Sequence, residues 1–116
     1  MKEFEILNLE QNIASIRSYL NEIDCIEKFL TNHNLTISEE DKAVFWNHFV
    51  SLFRRVDMNE MDTLEVDLSF EPSVETLLIT KLLILELKTL RNFDITEFEE
   101  FLIILYMQKL IDKRST

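Results

Sequence analysis

The sequence contains no glycine, one proline and one cysteine among its 116 residues. Without glycine, only Asn and Asp readily accept the left-handed backbone of tight turns, so a sheet protein with many short hairpins is disfavoured. Cys25 has no second cysteine with which to form an internal disulfide. The composition therefore favours helices joined by short loops.

Long apolar runs and an excess of basic charge are also absent. The longest apolar stretch, residues 77–90, is interrupted by three charged residues and is shorter than the roughly 20 residues of a spanning helix. Residues 1–20 lack the charged start, apolar run and small-residue cleavage site of a signal peptide, so we expect a cytoplasmic protein without a membrane span. A net charge of −10 argues against direct binding to nucleic acid or anionic lipid.

Apolar residues recur at helical spacing in four segments of the chain. The first segment ends near residues 32–34, and a break near Asn12 or Asn21 would divide it into two helices. A chain of 116 residues has room for one modest core. We therefore predict a single all-α domain over residues 1–116, built as a bundle of four or five helices.

Start signals delimit the other three helices. Ser38, followed by three acidic residues, predicts the start of a second helix that runs to about Val56. Ser73, directly after the only proline, predicts the start of the third helix, which reaches about residue 91. Thr96 and Glu99 form a capping box for the fourth helix.

Between the second and third helices, residues 57–72 lose the helical period. Apolar residues alternate there instead, which permits either an extended loop or a short strand: Leu64, Val66, Leu68 and Phe70. No second alternating segment is available to pair with such a strand, and an isolated strand would leave its backbone groups without partners. We favour the loop.

The third predicted helix is apolar almost all round. Leucine and isoleucine cover more than one of its faces, as expected for a helix at the centre of a bundle or at the surface of a partner. One bundle of this length should need to bury less apolar surface than this helix offers. We therefore expect a homodimer.

The segment from Ala43 to Arg55, AVFWNHFVSLFRR, places one histidine among aromatic and aliphatic residues. His48 and Arg55 are seven residues apart, which returns both to nearly the same helix face, two turns apart. A neutral imidazole near a guanidinium can accept and hold a phosphoryl group, since Arg pairs with phosphate in a planar fork. The alternative is a half-buried histidine with a purely structural role.

Other chemical motifs are missing from the sequence. It has no Cys-x-x-Cys, His-x-x-x-His or Glu-x-x-His spacing, so we expect no dedicated metal site and no cofactor. Without a general acid/base pair beside His48, we do not expect an enzyme. The second histidine, His33, lies between two asparagines and is predicted to be an exposed loop residue.

Residues 47–55, NHFVSLFRR, resemble the first signature of the PTS regulation domain, which has Asn or Asp before His, mostly apolar residues and then Arg. Residues 94–106, DITEFEEFLIILY, are similar to the last helix of that domain, in which a Glu precedes a second His by about two turns. The Glu-Pro pair at residues 71–72, followed by a long apolar helix, also matches. The resemblance covers most of the chain.

This resemblance implies an all-helical bundle that accepts phosphate on histidine. The donor would be the phosphocarrier protein or a sugar-specific component of the bacterial phosphotransferase system. Family members usually dimerise, and most are attached to RNA- or DNA-binding domains whose activity they govern. We accordingly expect a stand-alone regulatory domain that acts in transcriptional regulation of carbohydrate use through protein contacts.

Residue by residue, the resemblance makes His48 the phosphoacceptor, with Arg55 and the adjacent Arg54 supporting the phosphate. Glu99 keeps its place in the last helix, whereas Tyr106 stands where the second histidine is expected. We therefore expect a single phosphorylation site lined by these five residues. The alternative is a small acidic helical binding or inhibitor protein, of the immunity type, without phosphochemistry.

Overall fold

A computed structural model of the chain describes residues 17–61, 63–66 and 69–114. These ranges contain four helices and no strand: α1 (Leu20–Asn32), α2 (Lys42–Asp57), α3 (Val74–Leu90) and α4 (Glu97–Arg114). The all-α prediction is confirmed for this part of the chain.

The first helical pattern is interrupted close to one of its two predicted positions. Residues 17 and 18 have helical backbone, whereas Tyr19 departs from it (φ −122°, ψ 27°) and precedes α1. The Tyr19 ring packs on Phe53 of α2 with 5.3 Å between the centroids, so this turn anchors the start of α1 in the core. The turn lies two residues before Asn21, and Asn12 lies outside the described residues.

Two asparagines end helices in the conformation that glycine ordinarily adopts. Asn34 (φ 57°) follows α1 and Asn59 (φ 55°) follows α2. After α1, the amide of Leu35 donates to the carbonyl of Leu30 at 2.8 Å, which is the long bond of a Schellman motif, and the same bond closes α2. Asparagine thus takes the role that the glycine-free composition predicted for it.

Two of the three predicted start signals act as helix caps. The Ser73 hydroxyl accepts a hydrogen bond from the amide of Thr76 at 3.1 Å. The Thr96 hydroxyl accepts one from the amide of Glu99 at 3.3 Å. These bonds satisfy amides in the first turns of α3 and α4 that have no carbonyl partner within the helix.

The predicted start of α2 at Ser38 is wrong, because the helix begins at Lys42 with Asp41 before it. The Ser38 hydroxyl donates to the Asp41 carboxylate at 2.9 Å, and Asp41 also accepts from Lys113 and, at 3.1 Å, from Lys109. These hydrogen bonds hold the pKa of the Asp41 carboxyl well below its usual range. Contacts with α4 therefore hold residues 38–41 in a turn, and the helix begins only at Lys42.

The connection from α2 to α3 has irregular backbone wherever the structure describes it, in agreement with the predicted loop. Phe70 lies against Phe101 of α4, with 6.1 Å between the ring centroids. Leu68, the third member of the alternating set, lies outside the described residues.

The helix α3 approaches both α1 and α4 closely, and only one of its faces is covered. The buried face carries Thr76, Ile79, Thr80, Leu83, Ile84 and Leu87. Most of its other large apolar side chains remain exposed, so α3 does not lie at the centre of the bundle, and the homodimer expected from this helix stays a prediction. No helix in the described ranges is both long and apolar enough to cross a bilayer.

Candidate functional site

A ring stack and an ion pair join α2 to α4. The His48 ring stacks on the Tyr106 ring with 4.4 Å between centroids and 25° between planes. Arg55, two turns further along α2, contacts Glu99, two turns earlier on α4. The helices are therefore antiparallel here, and four of the five predicted site residues lie together at their interface.

The contact between Arg55 and Glu99 is a planar two-bond ion pair. Nε of Arg55 donates to one carboxylate oxygen of Glu99 at 2.7 Å, and one terminal nitrogen donates to the other at 2.9 Å. The Glu99 side chain is 0% exposed and that of Arg55 is 27% exposed. A buried carboxylate is tolerated only with such a partner, so the guanidinium is already engaged before any phosphate arrives.

The His48 imidazole is a neutral base in this site. Burial first and then the positive charge of Arg55 lower the pKa of His48 to about 4, although the carboxylate of Glu99 acts in the opposite direction. Its Nε2 is buried and has no hydrogen-bond partner among the described residues. A neutral ring has one unprotonated nitrogen, and that nitrogen has the lone pair that phosphoryl transfer requires.

The same burial closes the site to a phosphodonor. Nε2 of His48 is not accessible at the surface, because the stacked Tyr106 ring and the helix interface bury it. Phosphorylation at Nε2 therefore requires α2 and α4 to separate locally.

Arg54 is the predicted site residue that lies apart from this cluster. It is exposed on α2. One residue of helix turns the side chain by about 100°, so Arg54 points away from the Arg55 contact. It has no part in the ion pair with Glu99.

A second polar cluster was not predicted from the sequence. Arg91, directly after α3, lies 3.5 Å from the buried Glu22 of α1 and also pairs with Asp57 at the end of α2. Its guanidinium lies over the rings of Tyr19 and Phe53, at 5.1 and 5.5 Å from their centroids. With Arg91 itself, the cluster joins three separate segments of the chain, so no local spacing in the sequence signals it.

A surface cleft of about 280 Å³ lies away from His48, beside α3 and the α3–α4 connection. Its rim charges are paired within the chain, Lys81 with Glu100 at 3.5 Å and Lys88 with Asp94 at 3.7 Å. Across the described residues, no group of three or more His, Cys, Asp or Glu side chains is arranged to hold a metal ion. The interface of α2 and α4 is therefore the candidate site.

Comparison with known proteins adds no relative to this description, because no family model, no curated protein and no solved structure matches the chain.

Proposed function

We propose that this protein is a stand-alone regulatory domain of the bacterial phosphotransferase system, with a bundle like that of the PTS regulation domain. Phosphorylation of His48 would control its contacts with other proteins in the regulation of carbohydrate use. The observation that carries the proposal is the position of the neutral His48 ring beside the Arg55–Glu99 pair. The sequence signatures around His48 and Glu99 supply the phosphotransferase context.

The chemistry is a transfer between two histidines. The lone pair of a neutral His48 ring nitrogen attacks the phosphorus of a phosphohistidine on the phosphocarrier or on a sugar-specific component. One N–P bond forms as the other breaks, the donor histidine leaves as neutral imidazole by taking up a proton, and His48 releases the proton of its other ring nitrogen. No metal, cofactor or base in this chain is needed, so the protein is a participant in transfer rather than an enzyme.

Phosphorylation would alter the interface of α2 and α4 through charge. A phosphoryl group brings roughly two negative charges, and the nearest guanidinium is that of Arg55. If Arg55 turns to the phosphate, the carboxylate of Glu99 is left buried without its cation, which costs several kcal/mol. The bundle can relieve this cost by moving α4, and that movement is the regulatory signal.

A binding protein without phosphochemistry is the second candidate. It is favoured by the inaccessible Nε2 of His48 and by the complete pairing of Arg55 with Glu99, which together form a stable structural contact. The net charge of −10 would then attract a basic partner.

Phosphoryl incorporation tests the first candidate against the second. The purified chain would be mixed with phosphoenolpyruvate, enzyme I and the phosphocarrier, and its intact mass would be measured. We expect a gain of one phosphoryl group in the wild type and in Tyr106→Phe, and none in His48→Ala. Arg55→Ala should reduce the labelled fraction because the phosphate loses its cation.

The matched control is His33→Ala, since His33 is the only other histidine. Nδ1 of His33 donates to the carbonyl of Phe29 at 3.0 Å and the ring stacks on the Phe29 ring, so its contacts lie on α1. Labelling should survive this change. Undiminished labelling of His48→Ala would reject His48 as the acceptor, and an unlabelled wild type with every donor tested would favour the binding protein.

A further inference from the structure

The cleft beside α3 and the α3–α4 connection has an apolar floor. Ile84 of α3 and Phe93 of the connection are buried, and Ile95 is half-buried beside them. Leu85 also lines the cleft and is 58% exposed. Apolar surface is therefore left here that a small ligand could cover.

Opposite charges stand in pairs at two points of the rim of this cleft. Lys81 and Lys88 are seven residues apart on α3, which places them on one side of the helix and about 10 Å apart along its axis. Lys81 lies 3.5 Å from Glu100, and Lys88 lies 3.7 Å from Asp94. Both distances from nitrogen to oxygen exceed that of a hydrogen bond between charged groups, so these four groups retain hydrogen-bonding capacity for a ligand.

The balance of charge on the rim selects the class of ligand. Two ammonium groups and two carboxylates sum to no net charge, so the cleft does not favour an ion of one sign. The net charge of −10 on the whole chain also disfavours a free anion. A zwitterion complements an ammonium group and a carboxylate at the same time. A cleft volume of about 280 Å³ lies at the lower end of small-molecule sites, so the ligand is small.

We propose that this cleft is a binding site for a free α-amino acid with a large apolar side chain, such as leucine or phenylalanine. The carboxylate of the amino acid pairs with Lys81, and its ammonium group pairs with Glu100. Its side chain covers Leu85 and the apolar floor. This pair is favoured over the other because the side chain of Glu100 is 31% exposed and that of Asp94 is 84% exposed, and water screens a half-buried charge less.

This inference goes beyond the proposed phosphochemistry, because the cleft shares no residue with the stack of His48 on Tyr106 or with the pair of Arg55 and Glu99. Binding of an amino acid is measured without any phosphodonor. A chain that binds the amino acid and is never labelled would retain this inference and lose the proposed function. A labelled chain that binds no amino acid would do the reverse.

A chemical-shift titration of the full chain with L-phenylalanine, followed by NMR, tests the class of ligand. We expect saturable shifts at the amides around the cleft and a dissociation constant of about 1 mM or tighter. Three further ligands each lack one feature of the zwitterion. Phenylalaninamide lacks the carboxylate, 3-phenylpropionate lacks the ammonium group, and glycine lacks the apolar side chain. Each should bind about tenfold more weakly or not at all.

Variants of the rim test the choice of pair. Lys81→Met and Glu100→Gln should each weaken binding of L-phenylalanine about tenfold, because each removes one charged partner. Lys88→Met, a lysine on the same side of α3, is the matched control and should change the affinity less than about twofold. Unchanged shifts away from the cleft would show that each variant keeps the fold.

Three results would count against the inference. A wild type without saturable shifts up to the solubility limit of L-phenylalanine would overturn it. Undiminished binding of 3-phenylpropionate would overturn the zwitterion as the ligand class. An equal loss of affinity in Lys81→Met and Lys88→Met would overturn the assignment of the carboxylate to Lys81.

Discussion

The burial of His48 has two consequences. It keeps the ring neutral at cellular pH, and it lowers the free energy of unfolding in acid. Burial favours the neutral ring, and the positive charge of the adjacent Arg55 disfavours the protonated ring. At cellular pH the ring is therefore neutral, with one unprotonated nitrogen, and the barrier to phosphorylation at Nε2 is access. The same preference links protonation of His48 to unfolding.

We predict that the free energy of unfolding falls as the pH drops from about 6.5 to about 4. The pKa of His48 is about 4 in the folded chain and about 6.5 in the unfolded chain, so in this window the unfolded chain binds the extra proton. The loss should reach at most about 3 kcal/mol. Urea unfolding across this range would measure it.

The control for this pH dependence is a pair of histidine variants. His48→Gln should flatten the fall between pH 6.5 and 4, whereas His33→Gln should leave it in place. Loss of the carboxyl–lysine contacts of Asp41 adds a further decrease only at lower pH, because the pKa of Asp41 is held well below its usual range. An unchanged slope in His48→Gln would show that the ring is not buried in its neutral form.

Arg55 and Glu99 offer a second test at the scale of residues. We predict that Arg55→Met destabilises the fold by about 3 kcal/mol, because the fully buried carboxylate of Glu99 loses its cation. Adding Glu99→Leu should recover most of that loss, since a buried ion pair can be replaced by apolar packing. Arg54→Met is the matched control on the exposed side of α2 and should change stability by less than about 0.5 kcal/mol. Equal losses in the two single arginine variants would contradict the assignment.

At the scale of helices, the ends of α1 and α2 depend on asparagine in the left-handed region. We predict that Asn34→Ala destabilises the fold by about 1–2 kcal/mol, because alanine keeps the Cβ clash at φ of 57° and lacks the short polar side chain that lets asparagine adopt this conformation. Asn34→Gly should be neutral or slightly stabilising, since glycine has no such clash. Thermal unfolding would measure both, with Asn21→Ala on the exposed side of α1 as control. A loss in Asn34→Gly as large as in Asn34→Ala would assign the effect to the amide side chain instead.

Helix boundaries were predictable where their causes are local. Ser73 and Thr96 bond to amides three residues ahead, so the sequence alone locates these two caps. Ser38 misleads because Asp41 is held by Lys109 and Lys113 from the far end of the chain. Propensity and capping preferences act over a few residues and cannot register such a contact.

The candidate site was also predictable only in part. Helical periodicity is sufficient to place His48 and Arg55 on one face of α2, and Glu99 and Tyr106 on one face of α4. The antiparallel order of the two faces depends on how α2 and α4 pack. This packing brings Glu99 to Arg55 and Tyr106 to His48. Likewise, α3 is apolar almost all round, so its sequence does not indicate which of its faces the bundle covers.

At the scale of the whole molecule, α4 is the helix that could carry a signal. It contacts α2 through the candidate site and the start of α3 through polar contacts, from the amide of Ser73, just before α3, to Gln108 at 2.8 Å and from Arg114 to Glu75 at 2.5 Å. A displacement of α4 at the site would therefore act on the start of α3. This connection is physical and continuous, as coupling between two parts of the chain requires.

Hydrogen exchange with mass detection, in the presence and absence of a phosphodonor system, tests the central claim most directly. One measurement reports both the mass of the attached group on each peptide and the protection of each helix. We predict one phosphoryl group on the peptide that contains His48, together with faster amide exchange in α4 and unchanged exchange in α1. A phosphoryl group on the His33 peptide, or a labelled His48 with unchanged exchange in α4, would contradict the account.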